Sequence, residues 1–366
     1  MLIYLLSCQP STPISTEIHN DSASPIVVEE DASEEENLII SSLLYLNRSG
    51  RLFIYDRILE EEIWTLSNPE DPVWLDAHLS PDGNHIYHNV VDVRDHNPSL
   101  SEIRKIDFEG NIVSRTPTPW AHHAFDLVGE ELVSIVTEFR QHAEHGKVAG
   151  DRIVLYRDGQ EETILSTFSI LNPMPLTPMW DFGHFEDAHD WTHANAIRWY
   201  EEVELFLITL PGINAVWSFG MDGYIDTVYL GKGMQKEPYL NGIQYQERPF
   251  SIYEGGSFDM PHGATLDRDG TMWVLSNGLG GQTPSFAEGY VIENDALVLK
   301  HQLSPPVENA HSAGLGSVLR LDSSPNVIIN WGIYGLIEEK APNTEETIWQ
   351  VESNLQEVYG FSNVLR

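Results

Sequence analysis

Short hairpin signals recur along this chain and constrain its fold more than any other feature. "NRSGRLFIYD", "SPDGNHIYHN", "DFEGNIVS", "YRDGQEETIL", "GMDGYIDTVYL" and "DRDGTMWVLSNG" set a glycine turn, mostly Asp-Gly or Glu-Gly, between runs of alternating apolar residues. Tight turns between antiparallel strands need left-handed backbone, which Gly adopts freely and Asp tolerates, so these stretches read as strand, turn, strand. Helical periodicity is scarce. Short runs of Val, Ile, Leu, Tyr and Trp are broken by Gly, Asp and Asn instead, as in an all-β chain. The hairpins come in inner and outer pairs with about 45 to 70 residues per unit, the period of a four-stranded β-propeller blade.

Five such units can be laid along the sequence, at Asn68–Thr118, Pro119–Phe168, Met179–Gly231, Tyr253–Gln302 and Asn309–Glu352. The remaining segments, "LIISSLLYLNRSGRLFIYDRILEEEIWTL" and "NLQEVYGFSNVLR", are each too short for a blade. Together they make a sixth, in which the last strand closes the ring and removes exposed sheet edges. The expectation is an all-β, six-bladed propeller over residues 38–366. A pair of β-sandwiches is the alternative, but it needs no such period.

The first 37 residues read differently. "MLIYLLSCQP" matches a bacterial lipobox, in which cleavage before Cys8 leaves that residue lipidated. Residues 9–37, rich in Ser, Thr, Pro and acid, suit a self-repelling tether. The expectation is a signal over residues 1–8, a disordered linker over 9–37, and a protein of the periplasm or outer membrane of a Gram-negative-type bacterium. With 20 basic against 56 acidic side chains, the formal charge of −36 opposes binding to nucleic acid or to an anionic bilayer surface. Contact with a membrane is expected only through the lipid on Cys8.

Three stretches carry the chemistry: "HAFDL" from His123, "HANAI" from His193 and "HGATL" from His262. Their spacings are 70 (193 − 123) and 69 (262 − 193), close to one blade each. Inner strands of successive blades line one channel, so three histidines at equivalent positions would converge. His122, adjacent to His123, points the opposite way if the strand is regular. His78 and His311 are out of register with the three; His78 reads as structural, and His311 as a loop residue near the same mouth. "DRDGT" and "SPDGN" lack the remainder of a calcium loop and read as turns.

"HHAFD", "DWTHANAI", "FDMPHGATLDRDGTMWVLSNG" and the later "GSVLRL" resemble, in that order, motifs of the bacterial arylsulfate sulfotransferases, six-bladed propellers of the periplasm. The resemblance implies sulfuryl transfer from a phenolic sulfate ester to another phenol, with no cofactor and no nucleotide sulfate. It implies His262 as the nucleophile, with His193, His123 (or His122) and Asn195 as further catalytic residues. Asp190 and Asp187 are candidates to orient a histidine. The chain departs from the family where an arginine grips the sulfate: Leu210, Pro211 and Gly212 stand there instead. Arg140, Lys147 and Arg152 are candidate replacements, and His122 and His311 candidate substrate contacts. Two further functions fit a histidine-lined channel: a metal centre, since imidazoles are good ligands for zinc, copper and iron, and a non-catalytic binding propeller displayed at the cell surface.

Overall fold

The computed structural model describes residues 38–366 apart from 46–49, 69–72, 92–100, 178–180, 182, 184, 244–245, 279–282, 308–309, 322–323, 353–356 and 365–366. Cys8, the signal and the linker lie outside the described residues. Six sheets of mainly antiparallel strands form a ring, a six-bladed β-propeller. Blade 1 contains strands Ala77–Leu79, Ile86–Val90, Glu102–Ile106 and Ile112–Pro117, and blade 2 contains Ala121–Val128, Glu131–His142, Gly146–Arg157 and Gln160–Ser166. Blade 3 contains Ala196–Tyr200, Leu205–Leu210, Ala215–Gly220 and Ile225–Leu230, extended outward by Ser251–Tyr253. Blade 4 contains Pro261–Leu266, Met272–Ser276, Phe286–Glu293 and Ala296–Leu303; blade 5 contains Ser317–Arg320, Val327–Asn330, Leu336–Lys340 and Thr347–Glu352.

Blade 6 is built from both ends of the described chain. Its innermost strand is Glu357–Val364, and outside it lie Leu38–Tyr45, Gly50–Asp56 and Glu61–Asn68. Ile39 pairs with Val364 and Tyr45 with Glu357, so the last strand locks onto the first as expected. The hairpin glycines Gly83, Gly110, Gly159, Gly223 and Gly270 all have positive φ. The acids beside them cap the turns: Asp82 accepts from the Asn84 N–H, Asp107 from Asn111 and Asp267 from Thr271.

Neighbouring blades pack face to face, so a middle strand is buried on both sides and its sequence loses alternation. "FLITL" at 206–210 and "AVWSF" at 215–219 are buried throughout. Between blades 2 and 3 Trp191, Trp217, Phe206 and Phe219 pack with Leu155, Val148 and Ile197. Trp273 and Trp331 play the same part between blades 4 and 5.

A buried ion pair bolts the closing blade to its neighbour. Arg57 of blade 6 pairs with Glu339 of blade 5. Glu339 also accepts from the Trp349 indole N–H at 2.5 Å and the Asn326 amide at 2.6 Å. Removing one member of such a pair strands the other charge in the interior, which costs about 3–5 kcal/mol. Glu339→Ala is therefore expected to lower the unfolding free energy by about that amount in denaturant titration. A loss below about 1 kcal/mol, the scale of surface pairs, would show that the bolt contributes little.

Candidate functional site

The inner strands of blades 2, 3 and 4 start at one mouth of the channel, and each begins with the same bend. His123, His193 and Gly263 have φ of 56°, 50° and 53°. In the two blades where the ladder spans this point, its register shifts across it, between Ala121 and Phe125 and between His262 and Thr265. Left-handed backbone costs a non-glycine residue of order 1–3 kcal/mol and persists only where surroundings hold it. Trp120 and Met260, three residues earlier in blades 2 and 4, share a second positive φ.

This bend corrects the alignment of the histidines. His123 matches His193 and Gly263, whereas His262 matches His122 and Thr192. The consistent spacing is 70 in both steps (193 − 123 and 263 − 193). Gly263 cannot itself carry a histidine, because a Cβ there would lie 2.5 Å from the Gly316 carbonyl oxygen. The bend also overturns the strict alternation expected of His122 and His123. Both rings turn toward the cluster, with their Nδ1 atoms 2.8 Å apart.

The rings gather closely. The His123 ring centroid lies 4.8 Å from that of His193, 6.3 Å from that of His262 and 5.1 Å from that of His122. Asp151, 3% exposed, ties the group together. Its Oδ1 meets His122 Nε2 at 2.9 Å, while its Oδ2 accepts from the Thr192 hydroxyl at 2.6 Å and the Ala194 N–H at 2.7 Å. The long hairpin of strands 131–142 and 146–157 carries this aspartate. Along the same strand Ala149 pairs in parallel with Asp190, which places the Asp190 carboxylate 2.7 Å from His193 Nδ1. Asp187 is turned away, onto Lys147 at 2.9 Å.

Two histidines are driven apart electrostatically. Burial disfavours a charged His193, but the Asp190 carboxylate, supported by Asp151, outweighs it and raises the pKa above the ordinary histidine value. Burial acts unopposed by any carboxylate on His262, 4% exposed, and its pKa is held down to about 3, with His193 adding to the depression. His262 Nδ1 lies 2.8 Å from the Gly316 carbonyl. A carbonyl can only accept, so Nδ1 carries the proton and the lone pair of the neutral ring lies on Nε2. Separated pKa values in adjoining groups mark an acid–base division of labour.

Asn195 is 2% exposed and donates to the Pro261 carbonyl at 3.0 Å, tying blade 3 to the residue before His262. Leu210, Pro211 and Gly212 are buried beneath the cluster. A Cβ on Gly212 would sit 2.0 Å from the Trp191 carbonyl oxygen, so this position has no room for an arginine. Arg140 is engaged outside the cluster, by Glu138 at 2.7 Å and over the Phe168 ring. Arg152 meets Thr163 and Glu161, and Lys147 lies over Phe139. His311 contacts the Thr283 carbonyl at 3.1 Å in the loops beyond blade 4. His78 packs on Phe125 between Asp76 and Asp126. Asp151 had no motif to announce it. The one signal is an aspartate inside the buried run "VAGDRIVLY", which needs a partner there. Among the described residues, no group of three or more His, Cys, Asp or Glu side chains is arranged to hold a metal ion.

No protein-family model matches the chain, and no curated protein matches it in sequence. Solved structures do resemble it. A chain of a nidogen/laminin complex is 11% identical with a TM-score of 0.51, covering 88% of this chain and 97% of the other. A protein of unknown function from Bacteroides caccae is 10% identical with a TM-score of 0.48, covering 88% and 98%. The periplasmic gluconolactonase of Pseudomonas aeruginosa is 10% identical with a TM-score of 0.45, covering 87% and 99%. At such identity the likeness extends to the propeller fold alone.

The depressed pKa of His262 has a consequence for acid stability. The unfolded residue takes up a proton below about pH 6.5, whereas the native one stays neutral down to about pH 3, so acidification favours unfolding. At pH 5 the cost is roughly 2 kcal/mol. His262→Gln, which can still donate to Gly316, should lose less stability than the parent between pH 7 and pH 5, by that amount. Parallel stability curves would show that His262 titrates normally.

Proposed function

We propose that the protein transfers a sulfuryl group between phenols through a covalent intermediate on His262. One observation carries this reading: His262 is a buried neutral imidazole with its lone pair set on Nε2, close to His123 and acted on by His193, which is paired with a carboxylate. The ordered motif resemblance adds the substrate class. Nε2 attacks the sulfur of an aryl sulfate, the S–N bond forms and the S–O(aryl) bond breaks. His123 returns a proton to the departing phenolate. A second phenol then gives its proton to His123 and attacks the same sulfur, and the S–N bond breaks to restore neutral His262. Two easier steps replace one hard transfer.

His193, whose protonated form the Asp190 carboxylate favours, serves as the donor to the sulfuryl oxygens in place of the family's arginine. Asn195 positions the His262 segment through the Pro261 carbonyl. On this reading Arg140 has no part in the chemistry.

Mass spectrometry after incubation with 4-nitrophenyl sulfate should find an SO3 adduct on His262, absent from His262→Gln. His193→Gln should slow adduct formation by about 100- to 1,000-fold, the cost of one oxyanion donor. Turnover in His262→Gln equal to that of the parent would refute the assignment.

The sequence before the propeller supports a site in the cell envelope, held through lipid on Cys8. Expressed in a Gram-negative-type host with its N-terminal segment intact, the protein should sediment with membranes, and Cys8→Ser should move most of it to the soluble fraction. An unchanged distribution would rule out the lipid anchor.

A further inference from the structure

We propose that Asp151, His122 and His123 form a proton relay that serves the acceptor half of the reaction; the inference rests on the sulfuryl-transfer reading and extends it to two residues behind His123. The hydrogen bonds fix its direction. Ionised, the Asp151 carboxylate accepts only, so His122 Nε2, 2.9 Å from Oδ1, carries a proton. In neutral His122 the Nδ1 atom then holds the lone pair. His123 Nδ1 lies 2.8 Å away and must be the donor, which puts the His123 lone pair on Nε2. The His123 ring lies 6.3 Å from the nucleophilic His262 ring and 4.8 Å from His193.

The transfer balances without an outside reagent. The acceptor phenol gives its proton to His123 Nε2 as its oxygen bonds to sulfur and the S–N bond to His262 breaks. His123 passes its Nδ1 proton to His122 Nδ1. His123 is left neutral with its proton on Nε2, and His122 becomes an imidazolium against Asp151. The positive charge is thus moved one ring away from His262 and placed beside a carboxylate. The reverse path returns a proton to the departing phenolate of the next donor.

A packing role alone does not account for the arrangement. Asp151 Oδ2 already satisfies Thr192 and Ala194 and ties the two blades, while Oδ1 is spent on His122. His122 is not sealed in the core, since 16% of its side chain is exposed. The same bend that turns His123 into the mouth brings His122 beside it, at the cost of left-handed backbone.

Asp151→Asn separates the roles. Its amide oxygen can still accept from Thr192 and Ala194, but its NH2 would face His122 Nε2, reversing the His122 tautomer and breaking the relay. The test follows the isolated second step, transfer from the preformed His262 adduct to phenol, from pH 7 to pH 10.5. The variant is expected to transfer about 100-fold more slowly at pH 7 and to recover toward the parent rate as phenol ionises, because phenolate needs no base. His122→Gln, which leaves Asp151 and its bonds to blade 3 in place, should show the same pH-dependent rescue if Asp151→Asn does not fold. Equal rates at pH 7 in variant and parent overturn the relay alone. A loss that persists unchanged at pH 10.5 assigns Asp151 a structural role and also overturns it. An absence of any adduct on the parent His262 overturns the sulfuryl-transfer reading together with the relay.

Discussion

Packing blades face to face around an axis is the constraint on which this structure depends. It buries both faces of the middle strands, so polar side chains in them need partners or must be excluded. The starts of the inner strands escape that rule, because they open on the channel mouth. There the chain places His122, His123, His193 and His262, and there the ladder breaks register at a left-handed residue. The bends are held from outside the inner strands. Asp151 accepts the Ala194 N–H just past the blade 3 bend, and Asn89 of blade 1 donates to the His123 carbonyl. Strain at the mouth is therefore offset by hydrogen bonds from neighbouring blades.

The fold was largely legible because its signals are local. Glycine turns at Gly83, Gly110, Gly159, Gly223 and Gly270 punctuate the strands, and their spacing reveals blades. The union of Leu38–Tyr45 with Glu357–Val364 followed from counting what was left over. The site was legible only in outline. Three histidine strands were found, but His262 was paired with His193 one residue out of step, since a histidine does not announce a left-handed backbone. Gly263 did carry that signal. Asp151 could be read only as a buried aspartate in need of a partner, for a different reason: it lies on a third strand, which regular blade geometry keeps from the axis. The long hairpin brings it over the mouth, and parallel pairing to the same strand delivers Asp190.

On the proposed reading, the lack of the resembling family's arginine becomes an electrostatic question. The formal charge of −36 opposes an anionic sulfate, but exposed charges are screened beyond about 8 Å at physiological salt. Charges inside the mouth decide the matter, and the two carboxylates in contact with the cluster are each matched to an imidazole. Asp190 raises the pKa of His193, so the pair carries no net charge once His193 is protonated, and the imidazolium N–H groups remain donors. A guanidinium would be permanently charged, and burial beside His262 would deepen an already depressed pKa. An imidazolium paired with an aspartate gives a cation that faces the sulfuryl oxygens and is cancelled behind. His262 is kept neutral because burial and His193 both act against its protonation. On the proposed reading, the Asp190–His193 pair does the arginine's work: where the resembling family has a fixed charge, this chain has one that its own carboxylate holds in place.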